Sequence, residues 1–584
     1  MDMKTFINKI AGLVLGGSLM AGFSCTNLDE TVYEEYLVDD FFQTEEEILA
    51  GLAPAYGGMR GLFDLTFEIE EYMGGNMISP TRGQHWYEGG RFWRVHTFQL
   101  DPMDDLCTGP WNYCFGGIST CNRLLFILQD KEFPNKEQFT AELKMIRAYY
   151  YFYALEMYGN IPWIDRYDLE PGFLPQQETQ PQIYEKLVKD ILENVEFLSE
   201  EVNTETYGRF TKWAGYSLLA RVYLNAVYLK SESPEPETWN SPEWDKCIEA
   251  CDQVIASGKF RLENDFFANF VPNNENSKEN IFVVPYDDVY ALGFFLPLKG
   301  LHYAHPGLFG TKAQPWNGMC MLPEFFESFD WGGEDKDGDG LGDGVFEDTD
   351  GDGIKDVLVP GENPDLRWSK GFLFGPQLGK DGNMLLCSEE SKGKGLFLYP
   401  FAAANADGDL ESEREVQFIH SWKRSDGTIQ KDELMGFNYK FANEYNGARL
   451  NKYRFEEGGR ADMNNDLPIF RYADILMMKA ECLFRKGDKA GAAELINQVR
   501  ERAFEKPKPI TPEQLTADRM FNEIRWEFYG EMRARQDARR FDKMSTKGSF
   551  GRPSYPSHKN DWMPIPLEQL NANPNLKQNP HDLM

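Results

Sequence analysis

The chain has 584 residues, of which 42% are hydrophobic, 14% aromatic and 26% charged. It can therefore bury a large core, and it is neither a disordered polyelectrolyte nor a small disulfide-stabilised domain. Because 60 basic residues stand against 94 acidic ones, the net charge is −34, and this charge repels the phosphate backbone of nucleic acids and an anionic bilayer surface.

The first residues predict an exported lipoprotein. A short basic segment precedes an apolar run at residues 10–24, which is too short to span a bilayer and is typical of a secretory signal. Cys25 follows directly, with the small residues Gly22 and Ser24 before it, as cleavage in front of a lipid-bearing cysteine requires. We expect residues 1–24 to be a lipoprotein signal peptide and Cys25 to carry lipid. The alternative is a plain signal peptide followed by a chance cysteine.

Apolar residues recur at helical spacing toward both ends of the chain. The predicted helices are residues 142–158, 181–199, 213–229, 241–256, 472–485, 489–502 and 520–541. The pair that flanks Gly487 predicts a hairpin of the tetratricopeptide type, because Ala473, Ala480 and Ala492 are small enough for a close approach of two helices. The pattern predicts a mainly α fold, a tetratricopeptide-like helical scaffold.

The eight cysteines beyond the N-terminal segment do not form the paired CxxC units that bind zinc. Cys107, Cys114 and Cys121 recur every seven residues, and Cys247 and Cys251 lie one helical turn apart. We expect these side chains to be small apolar groups buried on helix faces rather than ligands or disulfide partners.

The middle of the chain, residues 259–466, lacks long helical periods and is rich in Gly, Pro, Asn and aromatic residues. A segment of this size with enough aromatic side chains to fold is typical of a functional insertion. We therefore expect a large irregular, loop-rich ligand-binding region at 259–466, between helical regions at 25–258 and 467–584.

Two acidic nonapeptides in this region, residues 335–343 and 348–356, both follow the pattern D-x-D-x-D-G-x-x-D. Calcium prefers several oxygen ligands, and a glycine at the sixth position permits the turn that wraps one ion. Phe346 and Val359 stand where an EF-hand has its bidentate Glu, so the loops are closer to those of thrombospondin type-3 repeats and dockerins. The sequence predicts one or two structural Ca²⁺ ions, with a solvated acidic loop as the alternative. The predicted ligands are Asp335, Asp337, Asp339, Leu341 (carbonyl) and Asp343 in the first loop, and Asp348, Asp350, Asp352, Ile354 (carbonyl) and Asp356 in the second.

Seven segments in order along the chain resemble those of the SusD/RagB family of outer-membrane glycan-uptake lipoproteins. They are DDFFQTEE at 39–46, WYEGGRFWRVHTF at 86–98 with WNY and ISTCN at 111–113 and 118–122, RAYYYFYALEMYGNIPW at 147–163, LPIFRYADIL at 467–476, INQVRERA at 496–503, IRWEFYGEMRARQDARRFDKM at 524–544, and PIPLEQLNANPNLKQNP at 564–580. The resemblance implies a helical core with an irregular ligand-binding half, which sits as a lid on a TonB-dependent (SusC-like) transporter barrel. It also implies a non-catalytic protein that is lipid-anchored in the outer membrane and faces outside.

A glycan ligand requires aromatic side chains on loops, because an exposed ring face covers the apolar C–H face of a sugar while the hydroxyl groups stay free to bind polar residues. Trp86 lies in a glycine-flanked polar loop, and Trp316 lies between a proline and an Asn-Gly turn. The resemblance to starch-binding relatives points to Trp86, Tyr303 and Trp316, with Arg367 and Trp368 as further candidates. The alternative for each tryptophan is a place in the core.

Motifs of enzymes are missing: the sequence contains no HExxH, GxSxG, Walker loop or GxGxxG that opens a helix. His302 and His305 lie on a loop without a third ligand, and we expect them to be surface or hydrogen-bonded residues. Arg533, Arg535, Arg539 and Arg540 alternate with acidic residues and predict an ion-paired helix face. The predicted function is capture of oligosaccharides for a partner transporter. A peptide-capturing member of the same family and a secreted glycoside hydrolase are the alternatives.

Overall fold

The computed structural model describes residues 42, 44–241, 243–348, 355, 357–387, 395–401, 416–423, 429–435, 442–548 and 552–582. The predicted signal peptide, Cys25, and four ligands of the second acidic nonapeptide (Asp350, Asp352, Ile354 and Asp356) lie outside the described residues. Within the described ranges, no helix combines the length and the apolar character needed to cross a bilayer.

Helices are the dominant secondary structure, which confirms the predicted mainly α fold. The N-terminal helices are α1 (Glu45–Gly74), α2 (Arg91–His96), α3 (Asp105–Leu128), α4 (Lys136–Tyr158), α5 (Gln180–Asn194), α6 (Lys212–Leu224), α7 (Ala226–Leu229) and α8 (Trp244–Ser257). The middle region contains the short helices α9 (Leu296–Gly300), α10 (Pro306–Phe309), α11 (Pro323–Glu327) and α12 (Leu366–Ser369). The C-terminal helices are α13 (Tyr472–Arg485), α14 (Lys489–Arg500), α15 (Ala517–Phe528), α16 (Ala534–Arg540) and α17 (Leu567–Ala572).

Local capping explains where the long helices begin and end. The Thr44 hydroxyl accepts from the backbone N–H of Glu47, whose carboxylate accepts from the backbone N–H of Thr44, so a capping box starts α1. Helix α1 ends at Gly75, which has a left-handed φ of 81°, and α4 ends before Gly159 with φ of 66°. The predicted end of the helix at residue 158 is confirmed.

Helices α1, α3 and α4 pack against one another around the core, and the cysteines lie where the spacing predicted. Cys107, Cys114 and Cys121 on α3 are fully buried, as are Cys247 and Cys251 on α8. Burial raises the pKa of the Cys121 thiol to about 12, so that this group is an inert apolar side chain rather than a thiolate ligand.

Strands are short and occur as two-stranded antiparallel pairs. The pairs are β1 (Met77–Ile78) with β5 (Cys320–Met321), β2 (Ile161–Pro162) with β3 (Gln177–Glu178), β4 (Asn280–Val284) with β14 (Leu467–Arg471), β6 (Val345–Glu347) with β7 (Val357–Val359), β8 (Phe372–Leu373) with β13 (Arg449–Leu450), β9 (Gly375–Pro376) with β10 (Phe397–Leu398), and β11 (Val416–Lys423) with β12 (Ile429–Met435). The β1–β5 and β4–β14 pairs tie the irregular region to both helical regions. One hydrophobic cluster accordingly includes Ile48, Phe294, Phe326 and Trp526.

The C-terminal helices contain the predicted hairpin and one error of prediction. Helices α13 and α14 pack against each other across the turn at Gly487, whose φ is 89°, with Ala473, Ala480 and Ala492 buried. The predicted helix at 520–541 is wrong as a continuous element, because α15 ends at Phe528 and α16 begins at Ala534. The helix predicted at 213–229 is likewise interrupted, at Asn225 between α6 and α7.

The arginine cluster of α16 is ion-paired, as predicted, but its partners come from several elements and the whole cluster is buried. Arg535 pairs with Glu156 of α4, and Arg540 pairs with Glu481 of α13 at 2.8 Å. Arg533 pairs with Asp537 on its own helix at 2.8 Å. The pairs with Glu156 and Glu481 fasten α16 against α4 and α13, and buried pairs of this kind are costly to break singly.

Candidate functional site

Trp86 and Trp316, two of the predicted glycan-contacting residues, meet in the structure. The indole Nε1 of Trp86 donates to the backbone carbonyl of Trp316 at 3.1 Å. The same indole lies over Gly318, where an added Cβ would be 2.3 Å from Cζ2 of Trp86. Only glycine leaves room for this contact, so Gly318 is part of the arrangement.

The backbone on both sides of this contact has an unusual conformation. Trp86, Glu88 and Asn317 have left-handed φ angles of 62°, 41° and 52°. Such φ values are uncommon for residues other than glycine, cost free energy, and concentrate at functional sites. The conformation therefore marks residues 86–88 and 317 as a place where geometry is maintained at the expense of stability.

Segment 316–319 is held from one side by backbone hydrogen bonds to α9. The N–H groups of Trp316 and Gly318 donate to the carbonyls of Leu298 and Lys299 at 2.8 and 2.9 Å. The Lys299 ammonium in turn pairs with Asp64 of α1 at 3.0 Å. The position of Trp316 is thus tied to the first helix.

Two buried arginines hold the same segment from behind. The Arg82 guanidinium donates through Nε and Nη2 to the carbonyl of Gly318 at 3.2 and 3.1 Å. Arg449 donates through Nη2 to the side-chain oxygen of Asn317 at 2.8 Å and to the carbonyl of Glu444 at 2.9 Å. Burial lowers the pKa of both guanidinium groups, and the charge of Arg82 lowers that of Arg449 further. Burying two like charges costs free energy. The hydrogen bonds of these two guanidinium groups fix the backbone next to Trp316.

Trp316 offers the exposed part of this surface. Its side chain is 38% exposed and its ring lies 5.7 Å from that of Phe295. Trp86 is half-buried, with its ring 5.5 Å from that of Phe92. Trp86 therefore supports the surface as well as contributing to it, and Trp316 presents an indole on which a sugar ring can stack.

Tyr303 lies at the edge of the same cluster. Its ring centroid is 5.6 Å from that of His302, and its phenol is close enough to Arg82 and Arg449 to influence the pKa of both. The side chain is half-buried. The structure thus brings Trp86 and Trp316 together and places Tyr303 near the two arginines that hold the Trp316 segment; contact of all three with a ligand stays a prediction.

Arg367 and Trp368 do not belong to this surface, and their prediction as ligand contacts is wrong, because both are fully buried. The Arg367 guanidinium pairs with Asp365 at 2.6 Å and with Glu527 at 3.3 Å. The Trp368 indole stacks on Trp331 at 5.8 Å and leaves no face open to a sugar. The two residues instead join the irregular region to α15.

His302 and His305 are buried and hydrogen-bonded. Ligand atoms of His302, Cys387 and Glu444 lie within 4.8 Å of one another, which raises the question of a metal site. The backbone N–H of Ala304 donates to Nδ1 of His302 at 3.1 Å, so a neutral ring carries its proton on Nε2, the atom 3.2 Å from Glu444. This tautomer offers no lone pair to an ion. Burial lowers the pKa of His305 to about 3, so this second ring is also neutral.

The first acidic nonapeptide forms a closed loop. Carboxylate oxygens of Asp335, Asp337 and Asp343 lie within 4.8 Å of one another. The backbone N–H groups of Gly338 and Gly340, whose φ angles are 84° and 86°, donate to the two oxygens of Asp335 at 2.7 and 2.9 Å. Desolvation and the neighbouring carboxylates of Asp337, Asp335 and Asp343 raise the pKa of Asp339, as expected where like charges crowd together. Carboxylate oxygens are ligands of the kind that calcium prefers, and whether this loop binds an ion stays a prediction.

This acidic loop, residues 335–343, is fastened to the core at its base. The Asp330 carboxylate accepts from the N–H groups of Gly332 and Gly342 at 3.0 and 2.9 Å and pairs with Lys508 at 2.5 Å. Trp331, which follows Asp330, is the residue that stacks on Trp368. An ordered loop would therefore stabilise the contact between the irregular region and the C-terminal helices.

Two models of known protein families match this chain. A family model described as the SusD family matches residues 300–581, and one described as starch-binding associating with outer membrane matches residues 43–224. The chain belongs to the SusD family. The resemblance inferred from the seven sequence segments is confirmed.

Relatives within the SusD family are distant in sequence and similar in fold. The starch-binding protein SusD of Bacteroides thetaiotaomicron is 23% identical over 500 residues, which cover 80% of this chain and 78% of that protein. A SusD-like protein of Formosa agariphila is 21% identical over 95% of both chains. Surface glycan-binding protein A of Bacteroides thetaiotaomicron has a TM-score of 0.64 at 19% identity and covers 93% of this chain and 100% of its own. The structure of that protein in complex with laminarihexaose has a TM-score of 0.62 at 19% identity over 92% and 100% of the two chains.

Sequence reasoning missed the residues that hold Trp86 and Trp316 in place. Arg82 precedes Trp86 by four residues in the same loop, and Gly318 follows Trp316 by two, so both lie beside predicted residues. Nothing local to Arg82 predicts that its partner is a carbonyl 236 residues away. Asn317, which precedes Gly318 in an Asn-Gly pair, did carry a turn signal.

Proposed function

We propose that the protein binds oligosaccharides at the surface formed by Trp316, Trp86 and Tyr303, without chemical conversion, and passes them to a TonB-dependent transporter of the outer membrane. A relative that is starch-binding by name and a similar structure with laminarihexaose support a glycan as the ligand class. The position of Trp316 in this chain gives the geometric support.

The observation that carries the proposal is the half-exposed indole of Trp316, which is 38% exposed on a backbone clamped by Arg82 and Arg449. An apolar ring fixed in this way loses little conformational entropy when it stacks on a sugar.

Calorimetric titration tests the proposal after a glycan array has identified a bound oligosaccharide. Trp316→Ala should weaken binding by about 2 kcal/mol, roughly 30-fold, because aromatic anchors concentrate binding energy. Trp239 is a matched control, since it is 39% exposed and lies beside His558. Wild-type affinity in Trp316→Ala, or an equal loss in Trp239→Ala, would remove Trp316 from the site.

The alternatives give different results in the same preparation. A glycoside hydrolase would release new reducing ends when the pure protein is incubated with the bound oligosaccharide, whereas a binding protein releases none. A peptide-capturing protein would bind a peptide array and leave the glycan array blank.

We also propose that lipid on Cys25 anchors the protein in the outer membrane, facing outside, next to its transporter. One matched family model is described as associating with the outer membrane, which supports this location. In the native host, Cys25→Ala should abolish palmitate labelling and release the protein from membranes, while Cys107→Ala, a change at a buried thiol, should do neither. Labelling that persists in Cys25→Ala contradicts the anchor. Co-purification of a TonB-dependent transporter with the tagged wild-type protein tests the partner.

Calcium is proposed as a structural ion in the loop 335–343, with a second ion in the nonapeptide that begins at Asp348. The converging oxygens of Asp335, Asp337 and Asp343 support the first site. The ion would neutralise like charges and hold the loop closed above Trp331. It would not take part in any reaction.

A further inference from the structure

A tyrosine outside the predicted site is almost completely exposed. Tyr290 is 90% exposed, the highest value among the large hydrophobic side chains in the part of the chain that the structure describes. Its neighbours Val289 and Leu292 are 60% and 49% exposed. Single exposed apolar residues are common, but three within four positions at the tip of one loop form a patch.

The loop that carries Tyr290 is closed by hydrogen bonds to one carboxylate and across its own backbone. The Asp287 carboxylate accepts from the backbone N–H groups of Val289, Tyr290 and Ala291, at 2.7, 2.5 and 3.1 Å. The Asp287 N–H donates to the carbonyl of Ala291 at 3.0 Å and closes the turn. A projecting ring on a closed turn has little loop entropy to lose on binding.

Both ends of the loop are hydrogen-bonded to residues 462–466, which directly precede β14. The N–H of Asp288 donates to the side chain of Asn464 at 3.0 Å, and the N–H of Gly293 donates to Asp462 at 2.9 Å. At the start of the loop, the N–H of Tyr286 donates to Asp466 at 2.8 Å. Tyr290 is therefore presented outward by a frame of fixed hydrogen bonds.

The loop runs directly into the Trp316 surface. Phe294 stacks on Phe63 of α1 at 6.2 Å, and Phe295 lies 5.7 Å from the exposed Trp316. Five peptide units separate Tyr290 from Phe295, so their Cα atoms are at most about 17 Å apart. An oligosaccharide of several units that rests on Trp316 can span such a distance.

The surroundings of Tyr290 favour a neutral sugar over a macromolecular surface. The carboxylates of Asp287 and Asp288 stand at the base of the patch, and they would repel anionic lipid. One ring with two aliphatic side chains is far smaller than the roughly 1,000 Å² that a specific protein interface buries. An isolated aromatic face of this kind is suited to one sugar ring.

We propose that Tyr290 is an outer stacking contact for long oligosaccharides whose other end lies on Trp316. This inference rests on the proposed glycan-binding function. It assigns to the protein a preference for chain length: the inner contacts at Trp316 and Trp86 bind any chain of the right sugar, and Tyr290 adds affinity only for chains long enough to reach it.

Titration with a disaccharide and a hexasaccharide of the same series, malto- or laminari-oligosaccharides, tests the inference. Tyr290→Ala should weaken hexasaccharide binding about tenfold and leave disaccharide binding unchanged. Tyr290→Phe should retain both affinities, because the ring face rather than the hydroxyl makes the contact. Tyr167→Ala is the matched control, since Tyr167 is 46% exposed and lies beside Phe126 in another loop.

Each other outcome overturns the inference in a distinct way. Unchanged hexasaccharide affinity in Tyr290→Ala shows that the ring does not contact the chain, and if the same variant loses its transporter the patch is a protein interface. Equal losses for both sugars place Tyr290 in the inner site or in the fold. A wild-type protein that binds neither series nor any arrayed glycan refutes the proposed function itself.

Discussion

The indole nitrogen of Trp86 donates to the carbonyl of Trp316 at 3.1 Å, across 230 residues of sequence. This bond, together with the contact of the same indole with Gly318, joins a loop of the N-terminal region to the irregular region. One consequence is that the surface depends on both segments, and that a change at either one should disturb it.

Gly318→Ala should displace the Trp86 indole, because the new Cβ would be 2.3 Å from Cζ2 of that ring. We expect at least a tenfold loss of oligosaccharide affinity and a destabilisation of about 1–3 kcal/mol, the usual effect of overpacking. Gly116 on α3 is the control, since a Cβ added there would meet no heavy atom within 4 Å and its helical backbone tolerates alanine. Wild-type titration curves for Gly318→Ala would show that the position of Trp86 does not matter for binding.

Chelation should destabilise the protein through the loop 335–343. An ion that binds only the folded state at a hundred times its Kd stabilises that state by about 2.7 kcal/mol, so EDTA should lower the Tm of a chain of this length by about 2 °C. The double variant Asp335→Asn, Asp337→Asn should start at the lower Tm and not respond to EDTA. Glu132→Gln, a change at a side chain that is 93% exposed, should respond like the wild type. No change in Tm and no metal in native mass spectrometry would refute the calcium site.

Glu71 makes stability depend on pH with a defined sign. Burial raises the pKa of this carboxyl from 4.5 to about 7, although Asn76 and the backbone N–H of Gly530 donate to it. The folded protein thus binds this proton more tightly than the unfolded chain, so the stabilisation is complete below pH 4.5 and is lost as the pH rises to about 7.

Glu71→Gln lacks this titration and isolates it from that of other groups. The unfolding free energy of the wild type minus that of Glu71→Gln should fall by about 3 kcal/mol between pH 4.5 and 7, at 1.36 kcal/mol per pKa unit, and then stay level. Urea unfolding at several pH values measures the difference. A difference that is constant over this range, or that rises with pH, would contradict a raised pKa at Glu71.

Prediction from sequence succeeded where local chemistry decides the structure. The end of α4 follows from Gly159, and the turn between α13 and α14 follows from Gly487, because each glycine has a left-handed φ. Trp86 and Trp316 could be named because both lie on loops with turn-forming neighbours, and Trp86 also lies in a segment that resembles the family's.

Prediction failed where distant partners decide. The break between α15 and α16 occurs at Gly530, whose N–H donates to Glu71 and whose carbonyl accepts from Tyr453. Helical periodicity alone contains neither contact. Arg367 was predicted to contact a ligand, but its guanidinium is buried and pairs with Glu527, which is 160 residues away. Burial of a charge can be recognised only when the opposite charge is known to be near.

A buried network of ion pairs around Arg471 joins β14 to α15 and to the residues that follow it. The fully buried Arg471 guanidinium pairs with Glu279 at 2.5 Å, Glu527 at 3.1 Å and Glu531 at 2.7 Å. Burial alone would raise the pKa of Glu527, but Arg502, Arg471 and Arg367 lower it to about 2. All three carboxylates therefore depend on the cations around them.

Arg471→Met should destabilise the protein by about 3–5 kcal/mol, because it removes the counter-charge that three buried carboxylates share. Lys506→Met is the comparison: Lys506 pairs with Glu362 at 2.6 Å, but the two side chains are 69% and 79% exposed, so we expect a change within about 1 kcal/mol. Urea midpoints of the two variants, measured side by side at pH 7, decide the matter. Equal midpoints would mean that the Arg471 network contributes no more than a surface pair, and that apolar packing alone holds β14 against α15.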